Sequence, residues 1–175
     1  VICNGLVKGN WKLTLNTVPF TDFIDFFSKN IFNRTTYPNY KDPLILCLNA
    51  NLPKKNMNEL FEIIKPKLEK HLPDSKYNLK NKHNILDAKL IELLEKIVII
   101  TNGPIGETKM MEITHLREGD RLRIVSFNQL LNEKEKENIN FNKKHLTIVK
   151  PDIGISSINY NPERAWDYGC QIVCL

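Results

Sequence analysis

The stretch His145-Leu146-Thr147-Ile148-Val149-Lys150-Pro151, then Ser156-Ser157-Ile158-Asn159-Tyr160-Asn161-Pro162, then Ala165-Trp166-Asp167-Tyr168-Gly169-Cys170-Gln171-Ile172-Val173, decides the fold. Leu146 to Val149 reads as a short strand, Pro162 to about Tyr168 as a helical turn, and Gln171 to Leu175 as another strand. Strand, helical turn, strand is how parallel α/β sheets are built. Cys170 and Cys174 fall on one face of the last strand, too far apart along it to pair. Trp166 is expected to pack, and Gly169 to permit close backbone approach.

The same alternation extends toward the N-terminus. Val1-Ile2-Cys3 reads as the end of a strand. Phe20, Phe23, Ile24, Phe27 and Ile31 share one face of a helix over Pro19 to about Phe32. Asn33 to Asp42 is a polar loop. Pro43 to Leu48 is a continuous apolar run, the pattern of a buried parallel strand. Met57, Leu60, Phe61, Ile64 and Leu68 mark a second helix, with Pro66 a kink or break. A loop over Pro73 to Asn84 leads to a short helix over Ile85 to Glu95, with Leu86, Leu90 and Leu93 inward. Lys96 to Ile100 is a second buried strand. Thr101 to Asp120 mixes signals, with turns at Gly103-Pro104 and Gly106. A strand follows over Leu122 to Phe127, then a polar helix over Leu130 to Asn140.

A chain of 175 residues can bury one sizeable core, so one domain is expected. The 42% hydrophobic and 26% charged shares are those of an ordinary globular protein. No apolar run reaches the length of a membrane span. The net charge of +5 comes from lysines lying mostly opposite helical apolar faces. With no Arg-rich run or aromatic–basic interleaving, a nucleic-acid groove is not expected. The four cysteines, Cys3, Cys47, Cys170 and Cys174, form neither a disulfide framework nor a zinc spacing, which favours a reducing compartment. His71, His83, His115 and His145 lack partners at metal-ligand spacing, so no metal is expected. The chain starts at Val1 with no Met and no signal-like segment.

The tail resembles the Y-region end of phosphoinositide-specific phospholipase C, where a strand ending in Pro leads to S-S-N-Y-x-P and then W-x-x-G-C-Q-x-V. Weaker similarities follow in the family's order. Val1-Ile2-Cys3-Asn4-Gly5 resembles V-x-H-G. Leu15-Asn16-Thr17-Val18-Pro19-Phe20 resembles T-L-T-S-K-I-P-F. Asp42-Pro43-Leu44-Ile45-Leu46-Cys47-Leu48-Asn49 resembles Y-P-V-I-L-S-L-E. Lys96-Ile97-Val98-Ile99 resembles K-I-L-I, and Ser126-Phe127-Asn128 resembles S-F-S. The resemblance implies an α/β fold, a distorted TIM barrel with its site at the C-terminal ends of the strands. It implies one domain over residues 1–175: the later X region over 1–100, a linker over 101–121 and a Y-like region over 122–175. The similarity begins mid-domain, so the first strands are expected to lie outside this chain. A longer chain or a partner strand would then close the sheet.

In the family, histidines move protons, calcium held by Asn and carboxylates activates the inositol 2-hydroxyl, and basic side chains bind phosphate. At these positions the chain departs from the pattern. The histidine of V-x-H-G is Asn4, an amide that cannot shuttle a proton. The glutamate closing the next strand is Asn49, which can coordinate calcium but brings no charge. The phosphate-binding lysines fall near Ile100 and Asn102. In L-S-R-I-Y-P the inositol-binding Arg becomes Ile148 and the stacking Tyr becomes Lys150. Ser126 survives at a substrate-contacting position.

Other groupings read as structural. Trp166 and Gly169-Cys170-Gln171 close the barrel; Glu112, Glu118 and His115 lie in a solvated loop; Gly103-Pro104-Ile105-Gly106 is a turn, lacking a phosphate loop's Gly-Lys-Ser/Thr ending. Asn4 and Asn49 read as remnants of a lost site, with a neutral polar ligand as the other reading. The resemblance and its losses imply a catalytically inactive phospholipase C-like protein with a structural or interaction role. The Lys- and Asn-rich style resembles homologues of large DNA viruses, which implies a virion component partnered by capsid or other protein chains. An intracellular or virion location is expected, with no cofactor. Two alternatives stand beside this: a divergent active phosphodiesterase using calcium, and a phosphoinositide-headgroup binding module on an anionic lipid surface, with Ser126 and Lys150 as substrate-binding residues in either.

Overall fold

Phe and Ile at helical spacing make α1, Phe20–Asn30, in the computed structural model of the protein. The structure describes residues 3–4, 18–35, 38–49, 52–81, 83–103, 105–152 and 160–174. The Ser156-Ser157-Ile158-Asn159 stretch, Pro104, Leu15-Asn16-Thr17, Val1-Ile2 and Gly5 lie outside them. The chain divides into two compact units, Val1–His115 and Leu116–Leu175.

In the first unit, β1 (Cys3–Asn4) pairs in parallel with β2 (Val18–Pro19), which runs into α1. The face expected of α1 is the one used: Ile24 is fully buried, and Phe20, Phe23, Phe27 and Ile31 pack against the same core. Helix α2, Lys54–Leu68, buries Met57, Leu60, Phe61, Ile64 and Leu68. Pro66 does not break it. The helix runs on to Leu68 and tightens into a 3-10 turn, Glu69–His71. Pro66 removes one backbone donor near the helix end, and buried Ile64 and Leu68 hold the turns on either side.

Strands β3 (Leu44–Leu48) and β4 (Ile97–Thr101) pair in parallel, Leu44 opposite Ile97 through Leu48 opposite Thr101. Every residue of β4 is buried, as its apolar run predicts. β3 is buried on one face only: Leu44, Leu46 and Leu48 join the core with Ile97 and Ile99, while Ile45 is 44% exposed and Cys47 is exposed. Ile105, Met110 and Ile113 complete this core.

The segment before β4 differs from expectation. In place of one helix there is a 3-10 turn, Ile85–Asp87, and a four-residue helix, α3, Leu90–Leu93. Ala88 and Lys89 between them are extended. This break resets the helical phase, so Ile85 is buried while Leu86 and Leu90 face outward.

The second unit opens with the two-residue strand β5, Leu116–Arg117. Strands β6 (Leu122–Ser126), β7 (Leu146–Lys150) and β8 (Ile172–Val173) form a parallel sheet in that order. The single polar helix expected between β6 and β7 is two, α4 (Phe127–Asn132) and α5 (Glu135–Asn142). They separate at the extended residues Glu133 and Lys134. α5 is held by polar contacts, in keeping with its sequence. The Arg123 guanidinium lies 4.4 Å from the Phe141 ring centroid, pairs with Glu133 at 2.8 Å and donates to Asn138 Oδ1 at 2.7 Å.

Helix α6, Glu163–Asp167, precedes β8. Gly169 (φ 76°) ends it: its N–H donates to the Trp166 carbonyl, and the Cys170 N–H to that of Ala165. These two bonds satisfy the last helical carbonyls in a Schellman arrangement. Trp166 does not pack as expected; it is 56% exposed, and the core of this unit is Leu130, Val149, Ala165, Tyr168 and Cys170. Gly169→Ala should therefore cost about 1–2 kcal/mol through its left-handed backbone, and Trp166→Ala under about 0.5 kcal/mol. Urea midpoints of the two variants check this contrast.

All three named pairings of the second unit's neighbours and of β3 with β4 are parallel, and helices connect the strands, as the α/β reading requires. The described strands lie in separate sheets, and no closed barrel is seen among the described residues.

Candidate functional site at the strand ends

The residues singled out from the sequence lie at C-terminal strand ends. Asn4 ends β1, opposite Pro19 of β2. Asn49 directly follows β3 and is exposed. Asn102, following β4, is next in register beside it, because Leu48 and Thr101 are the last pair. The Thr101 hydroxyl donates to the Leu48 carbonyl at 3.0 Å and accepts the Gly103 N–H at 3.1 Å, which fixes these ends. Asn102 Oδ1 is buried without a hydrogen-bond partner. Two neutral amides thus stand where the resemblance implies a carboxylate and a lysine.

In the second unit the structure brings Ser126 and Lys150 together as Cα partners at the ends of β6 and β7. Ser126, however, caps α4: its Oγ accepts the Gln129 N–H at 3.2 Å, and Gln129 Oε1 accepts the Ser126 N–H at 2.9 Å. This capping box is legible in the sequence as Ser126-x-x-Gln129. Asp152, not singled out in the sequence, accepts the Asn128 N–H at 3.0 Å. A carboxylate beside the strand end opposes an anionic ligand there. Tyr160 stacks on Phe127, ring centroids 4.0 Å apart, and its hydroxyl donates to the Cys174 carbonyl at 2.7 Å. This bond ties Tyr160 to the residue that follows β8.

Calcium needs six to eight oxygens and draws its affinity from carboxylate charge. Asn49 supplies a neutral amide, and among the described residues no three His, Cys, Asp or Glu side chains gather as a metal site. The described strand ends do not fit that ion.

His115 and the tail motif prove to be structural. His115 does not lie in a solvated loop. It is buried, its Nδ1 accepts the Ile99 N–H at 3.0 Å, and its backbone N–H donates to the Ile99 carbonyl at 2.8 Å. Burial pushes its imidazole down to about 4. Glu112 is turned away to Lys80 and Lys65. In the tail, Gln171 Oε1 accepts the Thr147 N–H at 2.8 Å, and its Nε2 donates to the Asn142 and His145 carbonyls. Asn142 Oδ1 accepts the Thr147 hydroxyl at 2.6 Å, and its Nδ2 donates to the Tyr168 carbonyl at 2.7 Å. This network grips the start of β7, while Lys150 ends that strand opposite Ser126, the last residue of β6.

Residues 98–175 match the family model described as phosphatidylinositol-specific phospholipase C, Y domain. The fold is similar to the crystal structure of L. pealei PLC21 (TM-score 0.74, 17% identity), over 99% of this chain and 29% of that one. It is also similar to S. officinalis PLC21 (TM-score 0.69, 17% identity), over 94% of this chain and 26% of that one. The chain thus spans under a third of the length of either. No curated protein matches it in sequence. The likeness to phospholipase C holds in sequence for the later part of the chain and in fold for nearly all of it. Among the described residues no helix is long and apolar enough to cross a membrane.

Proposed function

We propose that this is a phospholipase C-like protein without phosphodiesterase activity, a divergent barrel used in a structural or interaction role, with a virion of a large DNA virus as its setting and other protein chains as partners. Parallel strands joined by helices support the barrel reading. The observation that carries the inactivity is the chemistry of the strand ends. In the first unit Asn49 and Asn102 are amides; in the second, Ser126 is engaged in a capping box and the Asp152 carboxylate is engaged by the Asn128 N–H. None of these offers a free proton shuttle, and loss of a general acid or base costs about 10²–10⁴-fold. Purified protein with calcium and phosphoinositide vesicles is expected to release no inositol phosphate above the blank. Calcium-dependent release would overturn the proposal and favour the active alternative.

One observation favours a second reading, a headgroup-binding module. Lys150 is half-buried at a strand end beside Ser126, with no ion pair among the described residues. Phosphoinositide binding without turnover, lost in Lys150→Ala, would support it.

A further inference from the structure

The chain holds two Asn-Gly sequences, Asn4-Gly5 and Asn102-Gly103, and the second lies wholly within the described residues. In Asn-Gly the side-chain amide is open to attack by the next backbone nitrogen, because Gly carries no Cβ to block the approach. The Gly103 nitrogen would bond to the Asn102 side-chain carbon, and Nδ2 would leave as ammonia with the Gly103 proton, closing a succinimide ring. Water then opens the ring at either carbonyl and leaves aspartate or isoaspartate. The net exchange is one NH2 for one OH, with water the sole co-reactant.

Folding opposes the first step. The Gly103 N–H, which must give up its proton to attack, donates to the Thr101 hydroxyl oxygen at 3.1 Å in a buried bond. That hydroxyl is itself fixed, because it donates to the Leu48 carbonyl on the neighbouring strand at 3.0 Å. Gly103 is buried, and Ile105 beyond it is fully buried in the core of the first unit. Asn102 Oδ1, by contrast, has no hydrogen bond to restrain it. Control of the reaction therefore falls on the nitrogen, which can turn toward the Asn102 side chain only when the ends of β3 and β4 open.

We propose that Asn102-Gly103 is a deamidation site held shut by the Thr101 hydroxyl, reacting only through opening of the β3 and β4 ends. Either product then hinders reclosure. An ionised carboxylate is costly where Oδ1 is buried without a partner. Isoaspartate adds a carbon to the main chain directly after β4. The reaction thus makes a transient opening permanent. The inference goes beyond the function proposed above and uses neither Ser126 nor Lys150.

Peptide mapping by mass spectrometry at mildly alkaline pH tests it. Protein unfolded in guanidinium should convert Asn102 to a mixture of aspartate and isoaspartate. The folded protein should convert at least about tenfold more slowly, since only its opened fraction reacts. Thr101→Val keeps the shape and removes the hydroxyl; folded, it should convert about fivefold faster, the effect of one lost hydrogen bond. Thr101→Ser keeps the hydroxyl and should stay slow. The separated product should show a lower urea midpoint than unconverted protein. Equal rates in folded and unfolded protein would overturn the proposal, as would a folded Thr101→Val no faster than Thr101→Ser. Hydrogen exchange at the Gly103 amide of the unaltered protein gives a test that does not depend on Thr101→Val folding. Its protection should match the slowing of conversion, and an unprotected amide with slow conversion would also overturn the proposal.

Discussion

Asn142→Ala should destabilise the second unit by about 2–4 kcal/mol, read as a fall in the urea midpoint with unchanged slope. The side chain is buried and both its polar atoms are engaged: Oδ1 by the Thr147 hydroxyl, Nδ2 on the Tyr168 carbonyl and the Cys170 Sγ. Truncation removes the partner of the buried Thr147 hydroxyl and of the Tyr168 carbonyl. Each unsatisfied buried group costs about 1–3 kcal/mol, and the small void adds to that. Gln171→Ala should cost less, about 1–2 kcal/mol, because Gln171 is largely exposed. Both side chains meet at Thr147, so the double variant should fall short of the sum of the two. Additive losses would show that the tail motif does not act as one network.

His115 should make stability begin to fall as pH drops below about 6.5, before the carboxylates titrate. Its ordinary value of 6.5 is pushed down to about 4 by burial. Above pH 6.5 both folded and unfolded states hold a neutral ring, and the full stability is present. Between 6.5 and 4 the unfolded chain binds a proton that the folded chain refuses, so stability falls as pH falls. The total loss is on the order of 3 kcal/mol. Protonation at Nδ1 would also break the bond from the Ile99 N–H. The carboxylates of Asp25 and Glu107, held low by Lys67 and Lys54, begin to lose stability only near their ordinary values of 3.8 and 4.5. Thermal midpoints from pH 7 to 5 should therefore drop in the protein and stay flatter in His115→Gln. Equal slopes in the two would sink this account.

What was legible in the sequence depended on how local the cause was. The faces of α1 and α2 followed from apolar spacing, because a helix imposes its period on every side chain it carries. β4 was legible as an unbroken apolar run. The segment over 85–95 was not, since two extended residues shifted the phase of a pattern that otherwise looked helical. Trp166 misled for a different reason: its size favours burial, but the Schellman turn places it on the outer side of α6. The solvated-loop reading of His115 failed because its partner, Ile99, is sixteen residues away. Ser126 was placed at a substrate position by resemblance, while its neighbour Gln129 already announced a cap.

By itself the sequence determined the α/β alternation, the apolar faces and the substitution of Asn4, Asn49, Ile148 and Lys150 into a phospholipase C-like pattern. These are properties of residue type and spacing, fixed before the chain folds. Only the tertiary structure decided how the polar groups are spent. It committed Ser126 to Gln129, Asp152 to Asn128, and Gln171 and Asn142 to Thr147. A buried donor or acceptor must find a partner, and which one it finds depends on the groups that packing brings within 3 Å or so.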